Sequence, residues 1–65
     1  MKKIFSGILH DTYPDENGKE IPYEDKIVGY WKGKTFKCTS VPDFMTYEIS
    51  KEEFDKQVSE VKQIF

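Results

Sequence analysis

Cys38 and His10 are the only cysteine and the only histidine in this chain of 65 residues. Single copies exclude the two staples on which small domains usually rely, a disulfide framework and a structural metal site. A chain of this length buries only about 60% of the surface its unfolded form exposes. The reading is therefore one domain, residues 1–65, held by side-chain packing alone. Five Phe, four Tyr and one Trp supply the material for it.

The segment "ISKEEFDKQVSEVKQIF" carries the clearest element. Ser50 as N-cap with Glu53 three residues later makes a capping box, and Ile49 before the cap can staple onto Phe54. Phe54, Val58, Val61 and Phe65 recur at helical spacing with Ile64 beside them, and Glu52 and Lys56 form an i, i+4 pair on the wet side. This spacing predicts a helix from Lys51 to the C-terminus. Upstream, Met45, Tyr47 and Ile49 alternate with Thr46 and Glu48 as in a half-buried strand, after a turn at Pro42 and Asp43.

"DKIVGYWKGKTFKCTSV" reads as a hairpin about Lys32-Gly33. A two-residue loop there sets Trp31 opposite Lys34, Gly29 opposite Phe36 and Ile27 opposite Cys38. Ile27, Trp31, Phe36 and Cys38 then share one face, and Val28, Tyr30, Thr35, Lys37 and Thr39 share the other. "KKIFSGILH" is a further strand, apolar on both sides, with Ile4 and Ile8 on one and Phe5 and Leu9 on the other.

Together these segments predict an α+β fold: a small antiparallel sheet of three to five strands with one C-terminal helix packed on one face. Phe54, Val58, Val61 and Phe65 are expected to meet Ile27, Trp31, Phe36, Tyr47 and Ile49. If Ile4 and Ile8 face the helix, Phe5 and Leu9 need other cover, which favours a homodimer.

One unpaired thiol fits a reducing compartment, so the reading is cytoplasmic. The apolar run from Ile4 to Leu9 is broken by Ser6 and Gly7 and closes on His10 and Asp11, short of a signal-peptide core. No stretch approaches the ~18 apolar residues of a membrane span. The chain has no alanine, no arginine and one leucine, but many lysines, isoleucines and aromatics. Adenine-thymine-rich codons supply such a composition, which points to a low-GC bacterium or one of its phages or mobile elements.

The net charge of −2 conceals segregation along the chain. In "DTYPDENGKEIPYED", residues 11–25, six carboxylates stand against the single lysine Lys19. An EF-hand register counted back from Gly18 places Tyr13, not a carboxylate, at the first ligand position, and Pro14 follows it, so no metal site is predicted. Asn17-Gly18 is instead the preferred dipeptide of a type I′ hairpin turn, with "PDENGKE" turning between Tyr13 and Ile21.

Carboxylates repel nucleic acid, whereas tyrosines suit protein interfaces. Tyr13, Asp15, Glu16, Glu20, Tyr23, Glu24 and Asp25 are therefore the candidate contact set for a host protein with a basic groove, the carboxylates standing in for phosphates. No cofactor and no enzymatic activity are predicted. His10 and Asp11, as neighbours in a strand, point to opposite faces, and Cys38 reads as a small buried hydrophobe.

A second constellation competes with the first. In "YWKGKTFK", Tyr30, Trp31 and Phe36 interleave with Lys32, Lys34 and Lys37, and single-strand binders combine aromatic stacking platforms with a basic groove. Strands followed by a capped helix, aromatic-Lys-Gly-Lys between strands two and three and "ISKEEF" opening the helix resemble the positive-cofactor-four family of transcriptional coactivators. The similarity covers residues 26–61. It implies single-stranded DNA binding by a dimer, with Trp31, Lys32, Lys34 and Lys37 at the binding positions. The packing alternative puts Trp31 and Phe36 in the core and leaves the lysines as edge-strand solubilisers.

Overall fold

The computed structural model describes residues 2–41 and 43–65; Pro42, the first residue of the turn read from the sequence, lies outside the described residues. The elements are β1 (Phe5–Pro14), β2 (Glu20–Lys32), β3 (Thr35–Ser40), β4 (Thr46–Ser50), α1 (Lys51–Gln57) and β5 (Val58–Gln63). They build a five-stranded antiparallel sheet in the order β4-β3-β2-β1-β5 with the helix on one face. This is the predicted α+β class.

Two glycine turns set the registers. Gly33, at φ +63, opens the loop Gly33-Lys34, and positive φ at the first central position is the mark of a type II′ turn. The loop thus lies one residue beyond Lys32-Gly33, and every partner moves by two. Trp31 stands opposite Phe36, Gly29 opposite Cys38 and Ile27 opposite Ser40. Because side chains alternate with period two, that shift leaves both faces as the sequence predicts.

At Asn17-Gly18 only the glycine takes positive φ, +78. A type I′ turn needs it at both central residues, so that expectation is corrected. Asp15 organises the tip instead. Its carbonyl accepts from the Gly18 N–H at 3.0 Å and its own N–H donates to the Lys19 carbonyl at 2.8 Å. Its carboxylate accepts from the Asn17 and Lys19 N–H groups, both at 2.8 Å.

The helix is the main correction. Ser50 Oγ accepts from the Glu53 N–H at 3.2 Å, as the capping box predicts, but α1 runs for only 7 residues and buries Phe54 alone. From Val58 the chain pairs with β1: Val58 with Leu9, Ser59 with Ile8, Lys62 with Ser6 and Gln63 with Phe5. The register shift beside Gly7 is a bulge, with Glu60 at φ +53. A bulge lets residues three apart turn to the same side. Val58 and Val61 both flank Gly7, where a Cβ would lie 2.7 Å from Val58 Cγ1 and 3.8 Å from Val61 Cγ2. The spacing that predicts a helix is thus the spacing of a bulged strand.

The strand wins because β1 would otherwise end the sheet with a row of unpaired backbone groups. The β-branched Val58 and Val61 also suit a pleated surface. Backbone bonds continue past β5, with the Ile64 N–H donating to the Ile4 carbonyl at 2.8 Å. Phe65, which the helical spacing places in the core, is 75% exposed.

Helix α1 also dictates the shape of the sheet. It links the two edge strands, with Ser50 level with Lys32 and Val58 level with Asp25. On a flat sheet those points would be about 30 Å apart, from ~4.8 Å per strand gap and ~3.3 Å per residue. Eight helical steps cover only ~12 Å. The sheet must therefore curl strongly around the helix, giving a concave inner face and a convex outer one.

Leu9, Ile27, Phe36, Cys38, Ile49 and Phe54 form the buried core on the inner face. Trp31 packs edge-on against Phe36 and Phe54, with ring centroids 5.1 and 4.8 Å away. Phe5 and Leu9 belong to this covered side and Ile8 to the outer one, the reverse of the arrangement that favours a dimer. A second copy is not needed to cover Phe5 and Leu9.

Candidate functional site

The acidic stretch folds as a projecting arm. From Asp11 paired with Tyr23 to Pro14 paired with Glu20, β1 and β2 pair with each other and with no third strand. Two features keep it two-stranded: Pro14 and Pro22 lack the N–H that a further ladder would need, and the carboxylates repel an incoming edge. The arm stretches the molecule to 46 × 23 × 19 Å.

Alternation divides the predicted contact set. Tyr13, Tyr23 and Asp25 point to the inner side together with Asp11, Glu20 and Glu24 point to the outer side, and Asp15 and Glu16 sit at the tip. Tyr13 and Tyr23 form a tilted ring pair 5.7 Å apart. The Tyr23 phenol is raised above its ordinary pKa by burial and by the carboxylates of Asp11 and Asp25 beside it.

Where the arm leaves the sheet, the inner face opens into a hollow of about 340 Å³. It lies between the base of the arm and the helix, whose Glu53 and Gln57 line one side. Leu9 and Ile49 are its buried floor, and Tyr23 and Tyr47 line it. Carboxylates come from four elements: Asp11 from β1, Asp25 from β2, Glu48 from β4 and Glu53 from α1. Burial first, then neighbouring Cys38 and Asp25, raises the Tyr47 phenol. The Tyr47 and Ser40 hydroxyls are buried side by side, and the Ser40 hydroxyl works against that rise.

Beside this hollow lies a surface that the sequence reading does not single out. Phe44 is 79% exposed and held at φ +56, and Met45 is 62% exposed, so Met45 precedes β4 instead of joining its buried side. A left-handed conformation strains a bulky residue. The turn is nevertheless held, because the Phe44 N–H donates to the Ser40 carbonyl at 2.7 Å and the Ser40 N–H to the Met45 carbonyl at 2.8 Å. Two large apolar residues, Phe44 and Met45, in the short sequence "VPDFM" were the available signal.

The aromatic and lysine set is divided between faces. Trp31 points inward against the core, whereas Tyr30 and Lys37 stand opposite each other on the outer face. Lys2 Nζ lies 4.1 Å from the Tyr30 ring centroid, and Lys37 pairs with Glu48 at 3.4 Å. Lys32 and Lys34 flank the Gly33 turn and are exposed.

On the outer face at the base of the arm, His10 Nε2 lies 2.6 Å from Ser59 Oγ and its Nδ1 lies 3.4 Å from Glu24 Oε1. This has the wiring order of a Ser-His-acid triad. It is half-exposed and ties β5, β1 and β2 together, and His10 and Glu24 also line an open depression of about 540 Å³. Burial pushes the Cys38 thiol up to about 11, and its Sγ donates to the Tyr47 carbonyl at 3.6 Å. Among the described residues, no group of three or more His, Cys, Asp or Glu is placed to hold a metal ion. No helix of the described residues is long and apolar enough to cross a membrane. Comparison with protein-family models, curated proteins and solved structures finds no match.

Proposed function

We propose that this protein is a non-enzymatic interaction module that captures a basic partner protein through its acidic arm and so modulates or inhibits it. The observation that carries the reading is the arm itself, a hairpin dense in carboxylates that extends beyond the sheet and pairs only with itself. Its charge does nothing for the core. Tyr13 and Tyr23 add a rigid aromatic pair among the acids, the residue type that anchors interfaces at low entropic cost. The inferred setting is a phage or mobile element of a low-GC bacterium, with a host protein as the partner and its basic groove as the place of occupation.

Affinity capture from a low-GC bacterial lysate, with and without nuclease, tests this directly. Reversing Asp15, Glu16, Glu20 and Glu24 to lysine is expected to abolish capture while leaving the fold intact. Undiminished capture would sink the proposal. One observation favours the nucleic-acid alternative: Tyr30 on the outer face, with Lys2 over its ring and Lys37 opposite. Nuclease-sensitive capture, or oligonucleotide binding that weakens steeply with salt, would move the assignment there.

A further inference from the structure

The turn between β3 and β4 keeps apolar surface in water that a small core could use. Phe44 and Met45 are both exposed, and Phe44 is held at φ +56. Two costs meet at Phe44: its ring forgoes burial, and its backbone stays in a region that bulky residues adopt only under strain. The turn is nonetheless pinned on both sides of Ser40, which is 1% exposed: the Phe44 N–H donates to the Ser40 carbonyl and the Ser40 N–H to the Met45 carbonyl. A strained, fixed, solvent-facing aromatic is surface prepared for contact, because little freedom remains to be lost when it is covered.

The surroundings decide what covers it. Asp43 precedes Phe44 in the turn and is exposed. Met45 lines the hollow beside Asp11, Asp25 and Glu53, and among the described residues no ion pair takes any of these four carboxylates. Lys26, whose carbonyl accepts from the Val41 N–H at 2.9 Å, alternates with the buried Ile27 and so carries its side chain on the outer face. This charge repels nucleic acid and anionic bilayers. It also repels a second copy of the same surface, since a two-fold contact sets like against like. A cationic surface is attracted.

We propose that the Phe44-Met45 turn docks a cationic amphipathic segment of the basic partner. Apolar side chains of that segment cover Phe44 and Met45, and its lysines or arginines lie toward Asp43 and the base of the arm. This rests on the reading of the acidic arm as a docking surface and gives that surface its apolar anchor. Charge brings basic proteins in, and the exposed ring selects which of them stay.

The test titrates three synthetic peptides into the intact protein while NMR follows the Phe44 ring and the Met45 methyl. One alternates leucine pairs with lysine pairs, one replaces its leucines by serine, and one replaces its lysines by glutamate. Saturable shifts of both groups are expected with the leucine-lysine peptide. The serine-lysine peptide should bind at least about tenfold more weakly, the scale of a lost hot spot, and the leucine-glutamate peptide should not bind. Phe44→Gly should bring the leucine-lysine peptide down to the level of the serine-lysine peptide, and Met45→Gln should weaken it by a smaller factor. Because glycine takes positive φ without strain, Phe44→Gly should melt no lower than the wild type.

Equal binding of the leucine-lysine and serine-lysine peptides, unchanged in Phe44→Gly and lost on reversing Asp15, Glu16, Glu20 and Glu24, would overturn the docking turn and leave the arm reading standing. A lower melting temperature of Phe44→Gly would also overturn it, since the ring would then serve the fold. Equal binding of the leucine-glutamate peptide would overturn the cationic occupant. Self-association of the free protein, or binding to phosphatidylcholine vesicles, that disappears in Phe44→Gly would overturn it in favour of a second copy or a bilayer. Absence of binding by both lysine peptides would overturn the docking turn and the arm reading together.

Discussion

Gly29 is where one hydrogen atom decides whether the sheet can close. It faces Cys38 across β2 and β3, and a Cβ there would lie 2.7 Å from Cys38 Cα and closer still to the Lys37 carbonyl oxygen. Both neighbours are backbone and cannot swing aside, so Gly29→Ala must push the strands apart. Overpacking of this kind costs about 1–3 kcal/mol, a large fraction of what so small a core supplies. A lowered urea midpoint is the expected result, and an unchanged one would show that the two strands are not this close. Cys38 itself gives a pH signature. Its thiol is raised from 9.0 to about 11 in the folded protein, so the folded state holds a proton that the unfolded state releases. Stability then falls as pH rises across that window. Urea melts on either side of it should show a larger loss for the wild type than for Cys38→Ala, which removes this titration and leaves the tyrosines in place.

Short elements here depend on their ends. Helix α1 has only 7 residues, too few to be stable without its cap and its packing. Ser50→Ala removes the acceptor of the Glu53 N–H and should cost about 1 kcal/mol, measurable as a shift in the denaturant midpoint. Strand β5 makes the opposite point, because its own sequence favours the wrong element. Val58, Val61 and Phe65 have the period of a helix, and nothing local signals that Glu60 will adopt φ +53. Cross-strand NOEs from Leu9 to Val58 and from Phe5 to Gln63 are expected, and sequential helical NOEs through residues 58–63 would refute the strand.

The whole molecule separates a folded body from an appendage. Replacing residues 12–22 by an Asn-Gly turn, so that Asp11 and Tyr23 flank it, removes pairs that touch no third strand. Thermal stability should change by no more than about 1 kcal/mol, the scale of substitutions away from the core, while capture of a basic partner is lost. Retained capture by the shortened protein would place the contact elsewhere. Screening over about 8 Å at physiological salt makes the same capture weaken as salt rises.

Local chemistry is what the chain announces directly. The cap at Ser50, the division of β2 and β3 into a core face and a wet face, and the acidic hairpin with its tyrosines can be read from side-chain type and a period of two or 3.6 residues. Each depends on neighbours a few positions away. Sidedness and termination do not. Phe5 and Leu9 turned inward, Ile8 outward, and α1 stopped at Gln57 because the free edge of β1 was there to be paired, and no window of sequence contains that edge. The hollow is of the same kind. Asp11, Asp25, Tyr47 and Glu53 are far apart in the chain and meet only because the sheet curls around the helix.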